Sequence, residues 1–597
     1  MGINKIKLIK YWENQSKKLL DWIKPPSKTL TIKKNKYYWF EDGKINVAKN
    51  CLINKNPNKN ALIYINKEFD VEEISYKRLK NFVNKFAYIL TKELKEITKV
   101  GSEARIMIHG SASIETSVAM LACAQLGIHH NVVFESLSME ALSMRINILK
   151  PYIVISRGSE LEINNKILKA IKKSKYKQTK VISFSNHEFK KDNCLKLKLN
   201  DLNNKSFKSF NKYIVKKSND PLFSLFTSGS TGIPKGIIHS SAGYLLFAKY
   251  TCIEQFGLNQ KFTIATLSDA GWINGHTYSI YGPLSCGATS VLFENPFMAL
   301  SQNKFTKILQ KINPEIIYLP VTLIRLIKST YSIKKLKVNN LKCIGSMGEM
   351  LSPDISKWYS NFFCIKKTPV INTYFQTETG GVISSNKHNM DMSKYEPGSV
   401  GRPVKNINLI IENKNNENLL KVDTPWPGSF IELLDPKTNN YWDANNNFDL
   451  FDLGYFSKNK NLFVLGRSDD VINIRGHRIG TGEIESILLK EKKLEEVAVI
   501  SVKDSIEGEK IVVFFSSKNN SDNYYNINKN IVKYFGSYAL PKNIIRLKQL
   551  PKTKSGKILR RLLRTIYLNP NENKFGDLST LINKNSISEL KEAISSI

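Results

Sequence analysis

From Ala61 onward the sequence alternates short apolar runs with segments of helical periodicity. Ile106-Met107-Ile108 reads as a strand, Glu115 to Leu126 as a helix ended by Gly127, and Tyr152 to Ser156 as the next strand. Between them, Leu142, Ile146 and Leu149 fall on one face of a further helix stopped before Pro151. That order predicts an α/β chain, in which functional groups collect at the carboxyl ends of the strands. At 597 residues it should form two or more domains, each with a large core.

One strand-to-loop passage carries unusual chemistry. Directly after the apolar run Leu222 to Phe226 comes T-S-G-S-T-G-I-P-K-G, from Thr227 to Gly236. Gly229 and Gly232 let the backbone bring its N–H groups close to an anion. Thr227, Ser228, Ser230 and Thr231 donate further hydrogen bonds, Lys235 supplies positive charge, and Pro234 stiffens the exit. A hydrophilic surface loop would explain the flexibility but not the lysine. Because Gly236 follows Lys235, where the common nucleotide loop needs Ser or Thr, this is a phosphate loop of a different kind.

The net charge of +37, from 89 Lys and Arg against 52 Asp and Glu, raises nucleic acid or an anionic membrane as partners. The lysines are scattered among asparagines along the whole length, however, and no nucleic-acid signature appears, so neither partner is expected. The seven cysteines are far apart and form no C-x-x-C pair, which argues against a disulfide framework or a zinc site. No signal-peptide core, myristoylation pattern or run of 18 apolar residues is present, and a cytoplasmic location is expected.

Several later segments run from an apolar strand into polar or glycine-rich ends. D-A-G-W-I-N-G-H (269 to 276) suggests a tight wall near a ligand, with His276 read as structural. I-Y-L-P-V-T (317 to 322), I-G-S-M-G-E-M-L-S-P (344 to 353) and V-I-N-T-Y-F-Q-T-E-T-G-G (370 to 381) follow, the last presenting Thr377 and Glu378. A carboxylate beside hydroxyls there suits Mg²⁺ brought in on a triphosphate, since Mg²⁺ takes few protein carboxylates. Asp452 and Arg467, fifteen residues apart, can clasp the hydroxyls of a ribose. The stretch Asp201 to Asp220 reads as a linker or flexible loop.

Taken with L-G-R-S-D-D-V-I-N-I-R-G-H-R-I-G-T-G-E (465 to 483) and L-P-K-T-K-S-G-K-I-L-R-R (550 to 561), the chain resembles the adenylate-forming superfamily. The aromatic strings Y-W-E-N-Q-S-K-K-L-L-D-W and Y-Y-W-F-E-D-G-K near the start are similar to the opening of its acetyl-CoA and propionyl-CoA synthetase branch. The resemblance implies a large multi-subdomain N-terminal α/β domain and a small mobile C-terminal α+β domain. Residues 1–60 would wrap the large domain, 61–468 form the AMP-binding adenylation domain, and 469–597 the small domain, hinged at Asp469.

The resemblance also implies a reaction: ATP and a small carboxylate give an acyl adenylate and pyrophosphate, then coenzyme A gives a thioester and AMP. In it Lys557, Thr377 and Glu378 would be catalytic, with Glu378 holding Mg²⁺. The nucleotide would be held by the phosphate loop with Gly348, Glu349, Asn372, Thr373, Tyr374, Phe375, Gln376, Asp452, Arg467 and Arg478. The acyl pocket would be Trp272, Ile273, Asn274, Met347 and Phe375. Gly476, His477 and Arg157 would meet coenzyme A, and acylation of Lys557 would be a means of regulation.

The chain departs from the pattern at Asn372, where the family has an Asp against the adenine, and throughout the acyl pocket. Acetyl-CoA synthetases carry Trp at the place of Phe375, Val and Thr at those of Ile273 and Asn274, and Val at that of Met347. The arginines expected to grip the 3′-phosphate of coenzyme A reduce to Arg157. Acetate or propionate is the first expectation and a substituted three- or four-carbon acid the second. An adenylating ligase with another acceptor and a degenerate nucleotide-binding regulator are the alternatives. The sequence leaves oligomeric state open.

Overall fold

The computed structural model describes the chain apart from residues 1–4, 34–35, 98–103, 159–160, 186–193, 205, 228–233, 366–367, 415–416, 436–440, 469–470, 475–476, 492–493, 505–507, 518–523, 536–538, 554–555, 574, 576–577, 579–580 and 584. Two large sheets carry the architecture. One has eight strands, with a parallel run through Lys180–Phe184, Ile153–Ser156, Arg105–His109, His129–Val133 and Pro221–Thr227. The other has nine, with a parallel run through Ile371–Tyr374, Cys343–Met347, Ile316–Pro320, Thr263–Thr266 and Thr289–Phe293.

The apolar runs are continuous because both faces of these strands are covered. Ile316 and Tyr318 point into the core between the sheets, whereas Ile317 and Leu319 point into a second cluster with Phe305, Leu309 and Ile324 of the outer helices. Likewise Ile106 and Ile108 face the shared core and Met107 the opposite side. Inside the shared core lie the helices Ile114–Leu126 and Ala242–Phe256, predominantly apolar and buried around most of their circumference. Ile114–Leu126 starts one residue before the sequence reading, is capped by Ser113, and ends at Gly127 with φ 66°.

The N-terminal aromatic segment wraps this core. Leu8, Trp12 and Ser16 line the buried face of the helix Lys5–Leu19, and the Trp12 ring sits 5.1 Å from that of Tyr250 and 6.1 Å from that of Phe247. The stretch read as a flexible linker is instead fastened over the large domain. Gln125 donates to the carbonyls of Phe210 and Lys212, Asn46 to that of Ile214, and Lys85 to those of Leu202 and Asn204. Its polar composition misled because buried side chains of other elements satisfy its backbone groups.

An antiparallel four-stranded sheet follows, ending in Phe448–Phe456 and Leu462–Arg467. The C-terminal part is built on Leu494–Asp504 and Gly508–Ser517, with Asn543–Arg546 added in parallel. Thr481–Leu488 and Tyr524–Phe535 cover one face, and Arg560–Leu568 and Asn585–Ser595 the other, which makes it α+β.

Candidate active site

The carboxyl ends of five neighbouring parallel strands in the nine-stranded sheet open into one cavity of about 1290 Å³. Ile371–Tyr374 delivers Phe375, Gln376 and Thr377, Cys343–Met347 delivers Met347, Gly348 and Glu349, and Ile316–Pro320 delivers Pro320 and Thr322. Thr263–Thr266 delivers Ser268, Asp269, Trp272, Ile273 and Asn274, and Thr289–Phe293 delivers Glu294. Strand ends of the eight-stranded sheet, with Phe134, Glu135 and Arg157, complete the far wall. Lys552, Thr553, Gly556 and Lys557 reach in from the C-terminal part.

The groups in and behind the wall are held by their own contacts, Thr377 lining the cavity while Glu378 and Lys235 stand outside its lining. Thr377 accepts at its carbonyl from His239 Nε2, 2.8 Å away; burial pushes this imidazole down to about 4, so the neutral ring donates from Nε2. Glu378 is buried, and its Oε1 accepts from the Tyr441 hydroxyl at 2.9 Å. Lys235 lies over the same ring, its Nζ 5.7 Å from the centroid. The posts of the phosphate loop, Thr227 and Lys235, are paired across an antiparallel hairpin. The loop between them, with Ser228, Gly229, Ser230, Thr231 and Gly232, lies outside the described residues.

Asp452 pairs directly with Arg467 across the two strands, the register a joint clasp needs. Its Oδ2 accepts from Tyr374 and Gln376, both at 2.6 Å. Asn372 stands apart from the cavity wall: Oδ1 accepts from Ser346 at 3.0 Å, and Nδ2 donates to the Ser399 carbonyl at 3.1 Å. Thr373 is buried beside it, bonded to Tyr318 at 2.6 Å and to the Ser346 carbonyl at 2.8 Å. Gly348 has φ 88° with nothing within 4 Å of where a Cβ would stand, so an open wall and a left-handed backbone coincide there. Glu349 is already matched, accepting from Arg325 at 2.7 Å and Thr322 at 2.8 Å.

Lys557 ends a tight turn in which Thr553 donates to the Lys557 carbonyl at 2.8 Å and Gly556 to that of Thr553 at 2.7 Å. Gly556 has φ 85°, and a Cβ there would stand 2.3 Å from the Thr322 methyl, so this glycine seats the turn against the large domain. Lys552, paired with Glu496, lies in the field of Glu349 and Arg325, and burial lowers its ammonium to about 8.

Around Arg157 the structure adds what the sequence did not suggest. The guanidinium lies 2.8 Å from Glu294, 3.7 Å from Glu135 and 3.9 Å from Glu115, and donates to Tyr64 at 2.6 Å and Ser111 at 2.9 Å. Burial works against its charge, but Tyr64 and the three carboxylates hold its pKa above the ordinary value. Burial also pushes Glu135 up to about 7 against the pull of Arg157. Glu294 follows directly on the strand Thr289–Phe293 and Glu135 stands two residues past the strand His129–Val133, a signal the sequence offered and the motif reading passed over.

In the acyl region Trp272 packs against Phe134 at 4.9 Å, and Phe375 edge-on against Tyr278 at 5.9 Å. Ile273, Asn274 and Met347 are buried in the same wall. His276 is fully buried; its Nδ1 is 3.2 Å from the Trp272 carbonyl, and burial keeps it neutral, as a structural histidine. Asp469 and Gly476 lie outside the described residues. The Arg478 backbone pairs with Asn473, and that of His477 with Ile474.

The fold and cavity define an adenylate-forming enzyme. The AMP-binding enzyme model matches residues 49–430, the AMP-binding enzyme C-terminal domain model residues 483–557, and the acetyl-coenzyme A synthetase N-terminus model residues 7–51. The acetyl-coenzyme A synthetase of Gamma-proteobacterium EBAC31A08 is 34% identical, covering 98% of this chain and 94% of that protein. That of Psychromonas ingrahamii is 32% identical, covering 97% and 93%. Among solved structures, acetoacetyl-CoA synthetase from Streptomyces lividans aligns with a TM-score of 0.83 at 16% identity, over 99% of this chain and 93% of that one. The anthranilate CoA ligase AuaEII, in complex with anthranoyl-AMP, aligns with a TM-score of 0.75 at 19% identity, over 87% and 96%. The chain belongs to the acetyl-coenzyme A synthetase family of AMP-binding enzymes. It is an AMP-forming acid–thiol ligase that uses ATP, Mg²⁺ and coenzyme A. Among the described residues no helix is long and apolar enough to cross a membrane.

Proposed function

We propose that this ligase activates a short-chain carboxylate, acetate first, and that the sequence-derived residues divide the work as follows. The carboxylate rests among Trp272, Ile273, Asn274, Met347 and Phe375. One of its oxygens attacks the α-phosphorus of ATP, and pyrophosphate leaves. Lys557 and the Thr377 hydroxyl donate to oxygens that gain charge in the transition state, where one such donor is worth about 10² to 10³ in rate. The hairpin of Thr227 and Lys235 holds the β- and γ-phosphates. Asp452 and Arg467 take the ribose hydroxyls, while Gly348, Glu349, Gln376 and Arg478 border the rest of the nucleotide.

Glu378 is the residue for Mg²⁺. Tyr441 occupies one of its oxygens. Among the described residues no group of three or more His, Cys, Asp or Glu side chains could hold a metal. A lone carboxylate suits an ion whose other ligands are phosphate and water; when bound, it neutralises the triphosphate.

The second half-reaction needs the C-terminal part to turn about Asp469 so that Gly476 and His477 face the incoming thiol. The sulfur then attacks the acyl carbon and AMP leaves. The supporting observation is the meeting of five strand ends and Lys557 in one cavity. Lys557 is also exposed, so acylation could reach it and would remove its charge. We place the enzyme in the cytoplasm, since all seven cysteines are free thiols.

The test is carboxylate-dependent ATP–pyrophosphate exchange, then thioester formation with coenzyme A, using two- to four-carbon acids. Acetate should support both reactions, and failure of every acid in the exchange would sink the reading. The carboxylates around Arg157 compete for the one cation expected to meet the phosphate of coenzyme A. Exchange without thioester formation would remove Arg157 from that contact and leave the second step unexplained.

A further inference from the structure

For a chain of net charge +37, the cavity is short of cations. Among the described residues Lys67, Arg157, Lys166, Lys552 and Lys557 line it, against six acidic side chains. A polyanion that enters therefore depends on which of these five stand where its phosphates arrive.

Three of the five have other work. Lys557 and Lys552 belong to the C-terminal part, Lys552 in a pair with Glu496, and both turn away with it in the proposed second step. Arg157 is 11% exposed and enclosed by Glu294, Glu135 and Glu115 at 2.8, 3.7 and 3.9 Å. A phosphate reaching it would meet more negative charge than positive.

Lys67 and Lys166 border that cluster. Lys67 follows the strand Asn60–Ile65, and its backbone N–H donates to Glu294 Oε2 at 2.9 Å. Its side chain is 64% exposed and 4.0 Å from Glu68, a solvated pair that costs little to leave. Lys166, on the helix Leu161–Lys173, donates through Nζ to the Glu135 carbonyl, which takes a hydrogen bond but neutralises no charge. Phe134, next to Glu135, packs on Trp272 at 4.9 Å. One wall thus runs from the exposed Lys67 and half-buried Lys166 inward to the acyl pocket. Coenzyme A requires such a wall, because its thiol must reach the acyl carbon while its diphosphate and 3′-phosphate stay near solvent.

We propose that Lys67 and Lys166 hold the phosphates of coenzyme A in the second step, in place of Arg157, whose part is to keep three carboxylates together. The proposal rests on the ligase reading above, in particular on coenzyme A as acceptor.

The experiment measures thioester formation by the full chain with acetate, using coenzyme A and then pantetheine, which carries the thiol arm without phosphates. Lys67→Gln and Lys166→Gln should each raise the KM for coenzyme A about two- to fivefold, and the double variant about 10-fold, with smaller penalties at high salt. The KM for ATP and the kcat/KM for pantetheine should move less than about twofold, within the scatter of exposed charges. A KM for coenzyme A unchanged in the double variant, or an equal loss with pantetheine, would overturn the proposal and leave the ligase reading standing. An unmodified enzyme that exchanges pyrophosphate but forms no thioester would overturn it as well. No exchange with any acid, acetate included, would bring down the ligase reading with it.

Discussion

The two sides of the cavity are built differently. The large-domain side is a row of parallel strand ends, braced from behind by buried rings: His276 lies 4.4 Å from Phe223, and His239 5.1 Å. The lysine side is a short turn seated by a glycine on Thr322 and by the charges of Lys552, Glu349 and Arg325. The first is fixed by core packing, which tolerates little displacement. The second can leave without exposing a core, since the C-terminal sheet has its own clusters on both faces. The proposed presentation of Lys557 for one step and its withdrawal for the next would use this asymmetry.

Acid should break the braced side first and by the largest margin. Burial pushes His130 to about 3 and His239 to about 4, with His109 and His129 at about 3 as well. Folded values below the unfolded one mean that the neutral form is favoured by the fold. Their stabilisation is therefore complete above about pH 6.5 and is lost as pH falls toward 3 to 4, by about 1.4 kcal/mol per histidine per pH unit. Chemical denaturation between pH 7.5 and 5 should show a steep fall in stability; a flat profile would mean that these rings protonate without unfolding.

On the other side, Lys557→Ala should lower ATP–pyrophosphate exchange by about 10² to 10³. Thioester formation from supplied acyl-AMP should stay largely intact. Equal loss of both would show that the lysine serves the cavity in each state.

Gly556→Val tests the seat rather than the charge. The added branches meet Thr322 and the φ of 85° disfavours them, so exchange should fall by about 10-fold with the midpoint of thermal unfolding nearly unchanged. A large loss of thermal stability instead would tie the turn to the folding core.

The smallest effect belongs to Lys552→Gln, which removes one charge from the contact. A change of about two- to fivefold in exchange, larger at low salt, is expected from a partly buried charge of this kind. Salt independence would remove electrostatics from the docking.

Much of this was legible in the chain. The strand and helix at 105–127 follow from local periodicity and a glycine stop, and the strand ends at 347 and 374 from apolar runs that give way to polar or glycine-bearing segments. The pairing of Asp452 with Arg467 was also readable, since one hairpin sets it. Less legible was the stretch 201–220, whose polar composition matched a loose linker while its partners, Gln125 and Asn46, lay far away in sequence.

What the sequence determined by itself was therefore local: which segments form strands, where a phosphate could be cradled, and which residue types the chemistry can call on. Only tertiary structure decided that Glu115, Glu135 and Glu294 surround Arg157, and that Gly556 presses on Thr322. Each depends on groups from separate elements arriving within a few ångströms, and on water being excluded there, so that a charge or hydrogen bond of little consequence in solvent becomes decisive.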